Sequence, residues 1–371
     1  MDHQTGISAD HSNDPAQFVT RRTLKGGLHG GMEIIEVDNG RMKFWLLPER
    51  GMSIWKVWLD GIEIGWHSPV RGPVHPQHVP LHEESGLGWL AGFDELLCRC
   101  GLESNGAPEF DATGKLKYPL HGRIANLPAQ DVTTKVEGDE IRIEGQVDEA
   151  RFKSQKLALC ASVSTRHGSA EIVIRDRVSN PSALPAEFQL LYHINFGPPL
   201  LEAGAQVLAP VKTLVPRTHH AAKDALIWSK YAAPQAGFEE QVYFMALSGD
   251  ETGATQVLLK NAAGTMGVSI HFYLTQLPCF TLWKDTAAMQ DGYVTGLEPG
   301  TNYPNPRSFE RDQGRIERLL PGQTREFELR LEFHLDAVSI RLAEQNIARL
   351  QASRSPQVHD TVQSGWSINA A

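Results

Sequence analysis

Residues 32–66 read MEIIEVDNGRMKFWLLPERGMSIWKVWLDGIEIGW, and this stretch decides the fold class. Apolar and polar residues alternate along it, which is the period of a half-buried strand. The alternation breaks at Asp38-Asn39-Gly40, at Pro48-Glu49-Arg50-Gly51 and at Asp60-Gly61, all compositions that turn a hairpin. The pattern recurs downstream. TTKVEGDEIRIEGQVDE, RFKSQKLALCASVST and AEIVIRDRVSN predict successive strands, with turns at Gly138-Asp139, Asp148-Glu149 and His167-Gly168. EFQLLYHINF, EQVYFMALSG, TQVLLKNA, MGVSIHFYL, CFTLWKD, DGYVTGLEP and REFELRLEFHL extend the series. Helical spacing is clear only over 336–352, with Val338, Ile340, Leu342, Ile347 and Leu350 as its apolar residues. The expectation is a large antiparallel all-β domain over 19–335 with a short C-terminal helix. Polar segments at 1–18 and 353–371 are expected to be flexible. No fixed repeat is present, and strand spacing alone leaves a two-sheet sandwich and a large barrel both open.

The 371 residues carry 35 Lys and Arg against 44 Asp and Glu, a formal charge of −9. No basic run suggests a nucleic-acid partner. No apolar run approaches the ~18 residues of a membrane span. The segment MDHQTGISADHSNDPAQ has neither a basic nor an apolar leader region, so a cytoplasmic protein is expected. The four cysteines, Cys98, Cys100, Cys160 and Cys279, read as reduced thiols in or near a core.

Three short words carry chemistry: Leu120-His121-Gly122-Arg123, Tyr192-His193-Ile194-Asn195, and Gly296-Leu297-Glu298-Pro299 with the loop to Arg307 behind it. His193 and Asn195 share one face of a strand, where they either line a cleft or serve as structural polar groups. His121 precedes a glycine that permits close backbone approach, to a ligand or to another strand. Glu298 lies in an apolar strand, where burial would raise its pKa; an exposed strand-end glutamate is the alternative. Two histidines and a glutamate are groups that move protons near neutrality. In FDELLCRCGLESNG, Asp94, Glu95 and Arg99 either bind hydroxyls or form an internal ion-pair network. The 67–92 segment holds His75, His78 and His82, but no HExxH and an intervening Pro80, so a surface or pocket-rim loop is expected rather than a metal site. Walker A, GxGxxG and GxSxG motifs are all missing.

In this order, Arg50-Gly51-Met52, CGLESNGAPE, LHGRIANLPA, LLYHINFGPP, TLWKD and GLEPGTNYPNPR resemble the aldose 1-epimerase (galactose mutarotase-like) superfamily, over about residues 30–335. The resemblance implies a β-supersandwich of two large antiparallel sheets with a carbohydrate cleft on a concave face. It implies His193 as general acid on the sugar ring oxygen and Glu298 as general base on the anomeric hydroxyl. His121 would bind sugar and polarise the ring oxygen. Asn195, Arg123, Arg99, Arg307 and Lys284 are further candidates for substrate contact, and Glu240 replaces the family's hydroxyl-gripping aspartate. A bell-shaped pH profile is expected, its acidic limb from Glu298 and its basic limb from His193. The partner is a small carbohydrate, no metal or cofactor is expected, and a homodimer is compatible. Two other readings stay open. One is a lyase or isomerase on a modified sugar or sugar acid, motivated by Arg99, Arg123 and Arg307, since arginine pairs a carboxylate bidentately. The other is a non-catalytic carbohydrate-binding protein.

Overall fold

The computed structural model describes residues 15–352 and 355–370. The 32–66 stretch forms the strands Glu33–Asp38, Met42–Leu47, Ser53–Leu59 and Ile62–Ile64, paired antiparallel and joined at the predicted turns. They belong to a 13-stranded sheet that faces an 8-stranded one, and a two-stranded ribbon stands apart. Both large sheets are antiparallel except where Gln357–Val358 joins Val211–Pro216 in parallel.

The core lies between the sheets because each strand turns alternate side chains inward. Leu190, Tyr192, Leu282 and Leu297 come from the larger sheet, and Ile143, Leu159, Ile174 and Leu331 from the smaller. Arg99 spans this core. Its guanidinium donates to both carboxylate oxygens of Asp176, at 2.5 and 2.9 Å, and to the Met52 carbonyl at 2.7 Å. The Tyr192 hydroxyl donates to Asp176 at 2.9 Å. Breaking a charge pair this buried is costly, because removing one charge leaves the other buried and uncompensated. Asp176→Asn should therefore destabilise the fold by about 3–5 kcal/mol, read as a lower urea midpoint. An unchanged midpoint would contradict this account of the pair.

Three features differ from the sequence reading. Asp148-Glu149 is not a turn: the strand Glu140–Ala150 continues through it, with Asp148 opposite Ala158 and Glu149 opposite Leu157. Glu149 keeps the inward alternation of Val147 and is buried, accepting the Leu102 amide at 2.5 Å. The helix Ala337–Gln351 matches the predicted one, and Asp336 caps it by accepting the Val338 and Ser339 amides. Its buried stripe, however, is Ile340, Ala343 and Ile347 against Leu258, whereas Val338 and Leu342 are exposed. Steps of three and four residues from Ile340 define that face, and a step of two leaves it.

The third difference concerns the termini. Residues 1–14 of the predicted arm lie outside the described residues, but Phe18 already packs on the core. In the predicted flexible tail, Ser353, Arg354 and Ala371 lie outside the described residues. Residues 355–370 are held against the body by a strand pairing, a stacked tryptophan and side-chain hydrogen bonds. No helix among the described residues is long and apolar enough to cross a membrane.

Candidate active site

The strands Ala186–Phe196, Cys279–Asp285 and Val294–Gly300 lie side by side in the larger sheet. Their inward residues fill the core, and their outward residues form the floor of a cavity of about 580 Å³. The register Leu191↔Gly300 and Ile194↔Leu297 sets His193 directly opposite Glu298. His193 Nε2 stands 3.2 Å from Glu298 Oε1, and both side chains are almost wholly buried. On the other side of Glu298, Thr281 is its cross-strand partner, and Trp283 faces Gly296. Gly296 leaves room for the pair: a side chain there would have to displace it. A Cβ there would lie 2.6 Å from Glu298 Oε1 and 3.1 Å from His193 Cε1.

Aromatic rings close the walls. The rings of Phe93 and Trp283 meet the His193 imidazole at 5.1 and 5.5 Å between centroids, and Trp89 lies 4.7 Å from His121. The two imidazoles are 5.2 Å apart, edge to face. His121 has φ +55°, and Gly122 follows at φ +73°. The close approach allowed by Gly122 is to backbone: a Cβ would meet the Ser104 carbonyl at 1.9 Å. This crossing fixes the otherwise unfavourable left-handed backbone of His121 at the cavity wall.

Hydrogen bonds set the tautomers. The Asn195 amide donates to the Glu95 carbonyl at 3.0 Å, which leaves its oxygen to accept from His193 Nδ1 at 2.6 Å. The Nδ1–H tautomer makes Nε2 an acceptor facing Glu298. Burial holds His193 well below the usual imidazole range; His121 nearby adds to this, and the Asn195 bond opposes it. Burial likewise pushes Glu298 well above the carboxylate range, with Glu240 adding to the rise and Arg217 opposing it. The favoured state therefore holds one proton, on Glu298, donated to a neutral His193. This reverses the expected order of the limbs: adding a second proton charges His193, and losing the shared one charges Glu298. His121 Nδ1 donates to the Asn105 carbonyl at 3.0 Å, and burial lowers its pKa to about 4. With Nδ1 as the donor, its Nε2 is an acceptor while the ring is neutral.

Of the predicted residues, the fold brings His193, Glu298, His121 and Glu240 to one cavity. Glu240 accepts from Trp283 Nε1 at 2.8 Å and lies 3.6 Å from Arg217 Nη1. Asn195 is wholly buried behind His193 and positions it rather than lining the cavity. Arg99 and Lys284 point to the core side of their strands, so neither reaches the cavity. Lys284 donates to the Trp228 and Lys230 carbonyls at 3.1 and 2.7 Å, and burial lowers its pKa to about 8. Arg307 donates to the Glu103 carbonyl and to Glu187, and Arg123 borders a separate crevice with Glu103 and Glu149. In the 67–92 loop, His75 and His78 bond to Gln77. Among the described residues, no three His, Cys, Asp or Glu side chains gather as a metal site.

The sequence reading missed Trp89, Arg217, Thr281 and Asp285, all of which line the cavity. Trp89 Nε1, Thr281 Oγ1 and Arg217 Nε are buried there without a hydrogen-bond partner. Burial, with Glu240 nearby, pushes Asp285 up to about 6. Alternation could have found two of them. In Thr281-Leu282-Trp283-Lys284-Asp285, the odd-numbered residues share the cavity face, and Lys284 sits on the other.

Residues 29–333 match the family model described as a domain of unknown function, DUF4432. No curated protein matches the chain. A solved structure from Klebsiella pneumoniae, called a "putative aldose 1-epimerase", is 36% identical, with a TM-score of 0.88 over 91% of this chain and 89% of that one. Two more distant structures share the fold. A galactose mutarotase-like protein from Clostridium acetobutylicum is 14% identical, with a TM-score of 0.60 over 86% of this chain and 99% of that one. A galactose 1-epimerase from Lactobacillus acidophilus is 12% identical, with a TM-score of 0.56 over 85% and 98%. Sequence and architecture agree: the chain belongs to the DUF4432 family and is built on the galactose mutarotase-like fold.

Proposed function

We propose that this protein is a carbohydrate isomerase of the aldose 1-epimerase type, opening and reclosing an aldopyranose ring. The observation that carries the reading is the buried His193–Glu298 pair, 3.2 Å apart on the floor of an aromatic-walled cavity. Aromatic faces suit the apolar C–H faces of a pyranose, while the unpartnered Thr281 and Trp89 groups suit its oxygens. The shared proton moves from Glu298 to His193 Nε2, where Asn195 steadies the imidazolium. His193 then protonates the ring oxygen while Glu298 takes the anomeric hydroxyl proton, and the C1–O5 bond breaks to give the open-chain aldehyde. Rotation about C1–C2 and the reverse transfers close the other anomer. Protons balance, because the pair gives one and receives one.

The sugar-acid reading rested on Arg99, Arg123 and Arg307, none of which lines the cavity. A panel of neutral aldoses, amino sugars and sugar acids tests the proposal, with anomer exchange followed by NMR. Acceleration for at least one neutral aldose is expected. Acceleration for none, with a new product from a sugar acid, would overturn it.

The pH dependence follows from the shifts. The profile of kcat/KM should be bell-shaped, with limbs that belong to the pair as a unit. The acidic limb is His193 gaining a second proton. Asn195→Ala removes a bond that raises the His193 pKa, so this limb should move to lower pH. The basic limb is Glu298 losing its proton. Glu240→Gln removes a charge that raises the Glu298 pKa, so this limb should also move down. Limbs unmoved in both variants would contradict the one-proton state.

A further inference from the structure

The tail between residues 355 and 370 contacts Arg217, which lines the cavity. Gln357–Val358 pairs beside Val211–Pro216, and Arg217 directly follows that strand. Ser367 Oγ and Asn369 Nδ2 both donate to the Arg217 carbonyl, at 2.8 and 3.1 Å. The Arg217 amide donates to the Val242 carbonyl at 2.9 Å, so its backbone is gripped on both sides. The same tail reaches the loop behind Glu298. Trp366 stacks on Tyr303 at 5.2 Å, its carbonyl accepts from Asn305 Nδ2 at 2.9 Å, and Pro304 of that loop lines the cavity.

Arg217 is at the cavity without a full set of partners. Its Nε is buried and unpartnered, and its Nη1 lies 3.6 Å from Glu240 Oε1. A donor-only guanidinium beside an acceptor-only carboxylate matches a hydroxyl or a vicinal diol, which accepts from one and donates to the other. A carboxylate ligand would meet Glu240 as a like charge. Resting on the sugar-isomerase reading above, we infer that Arg217 is a ligand-orienting residue that donates to a hydroxyl oxygen of a neutral sugar, and that the C-terminal tail is the strap holding it in place. Ser367 and Asn369 are then positioning residues that act through Arg217.

The test uses the full chain. Arg217→Gln should raise KM for the best neutral aldose about tenfold or more, the loss of one hydrogen bond from a charged donor, with kcat changed far less. The double variant Ser367→Ala with Asn369→Ala should raise KM in the same direction, more weakly. Ser367→Thr, which keeps the hydroxyl, should restore the parental value when Asn369 is intact. Amide hydrogen exchange over 211–218 should quicken in the double variant while the 189–196 strand stays protected. Unchanged KM and unchanged exchange in the double variant would overturn the strap. So would equal loss of kcat for every sugar alongside a general fall in protection, because the tail would then only stabilise the fold. The exchange readout needs no substrate, so the strap is decided even if no aldose is turned over.

Discussion

Glu298→Gln should lower kcat for anomer exchange by at least about 10²-fold, and His193→Asn by a similar factor, with little change in sugar affinity. Both side chains lie at the cavity floor within 3.2 Å of each other, so each loss removes one end of a single proton circuit. Glutamine keeps the shape of Glu298 but accepts no proton. Asparagine keeps a hydrogen-bonding group at position 193 but cannot carry the transferred proton. Because the pair works as a unit, the double variant should lose less than the product of the single losses. Circular dichroism and thermal melting must match the parent for the comparison to hold, since both groups are buried. Near-parental turnover by folded Glu298→Gln would remove the pair from the chemistry.

Gly296→Ala should also cost about 10²-fold in kcat, since a displacement near 1 Å at a reacting group has that effect. The added methyl would sit 2.6 Å from Glu298 Oε1 and 3.1 Å from His193 Cε1. Gly296 is not among the residues of positive φ, so alanine meets no backbone strain there. The strand should remain intact, and the loss should appear in turnover rather than in the melting temperature. A folded Gly296→Ala with parental kcat would mean that the pair tolerates displacement and that its observed geometry is not the working one.

The hairpins of 32–66 were legible because turn residues and alternation, both local signals, agree there. The pairing of His193 with Glu298 was only half legible. Each word marked a strand residue of unusual polarity, but their opposition depends on the register between Ala186–Phe196 and Val294–Gly300. Alternation, applied strictly, would have removed Arg99 and Lys284 from the site, since their neighbours Cys98, Cys100, Trp283 and Asp285 hold the other face. Arg217 and Trp89 had no local signal at all. Arg217 follows a strand edge in Val-Pro-Arg-Thr, and Trp89 lies in a Gly-rich loop; only long-range packing brings them to the cavity. The tail read as flexible because it is polar, yet it is held by side-chain hydrogen bonds to backbone carbonyls and one stacked indole. Glu149 misled for the related reason that a buried carboxylate looks like a turn residue in sequence; burial pushes its pKa up to about 7.

The most direct test of ring opening by this pair is anomer exchange of a neutral aldose followed by NMR in D₂O. Ring opening and closing exchange only O–H protons. Parent protein is therefore expected to speed α/β interconversion while the combined α and β signal of every C–H position keeps its full intensity. Loss of the C2–H signal, or a product other than the two anomers, would mean that the pair abstracts a carbon-bound proton and would contradict the account.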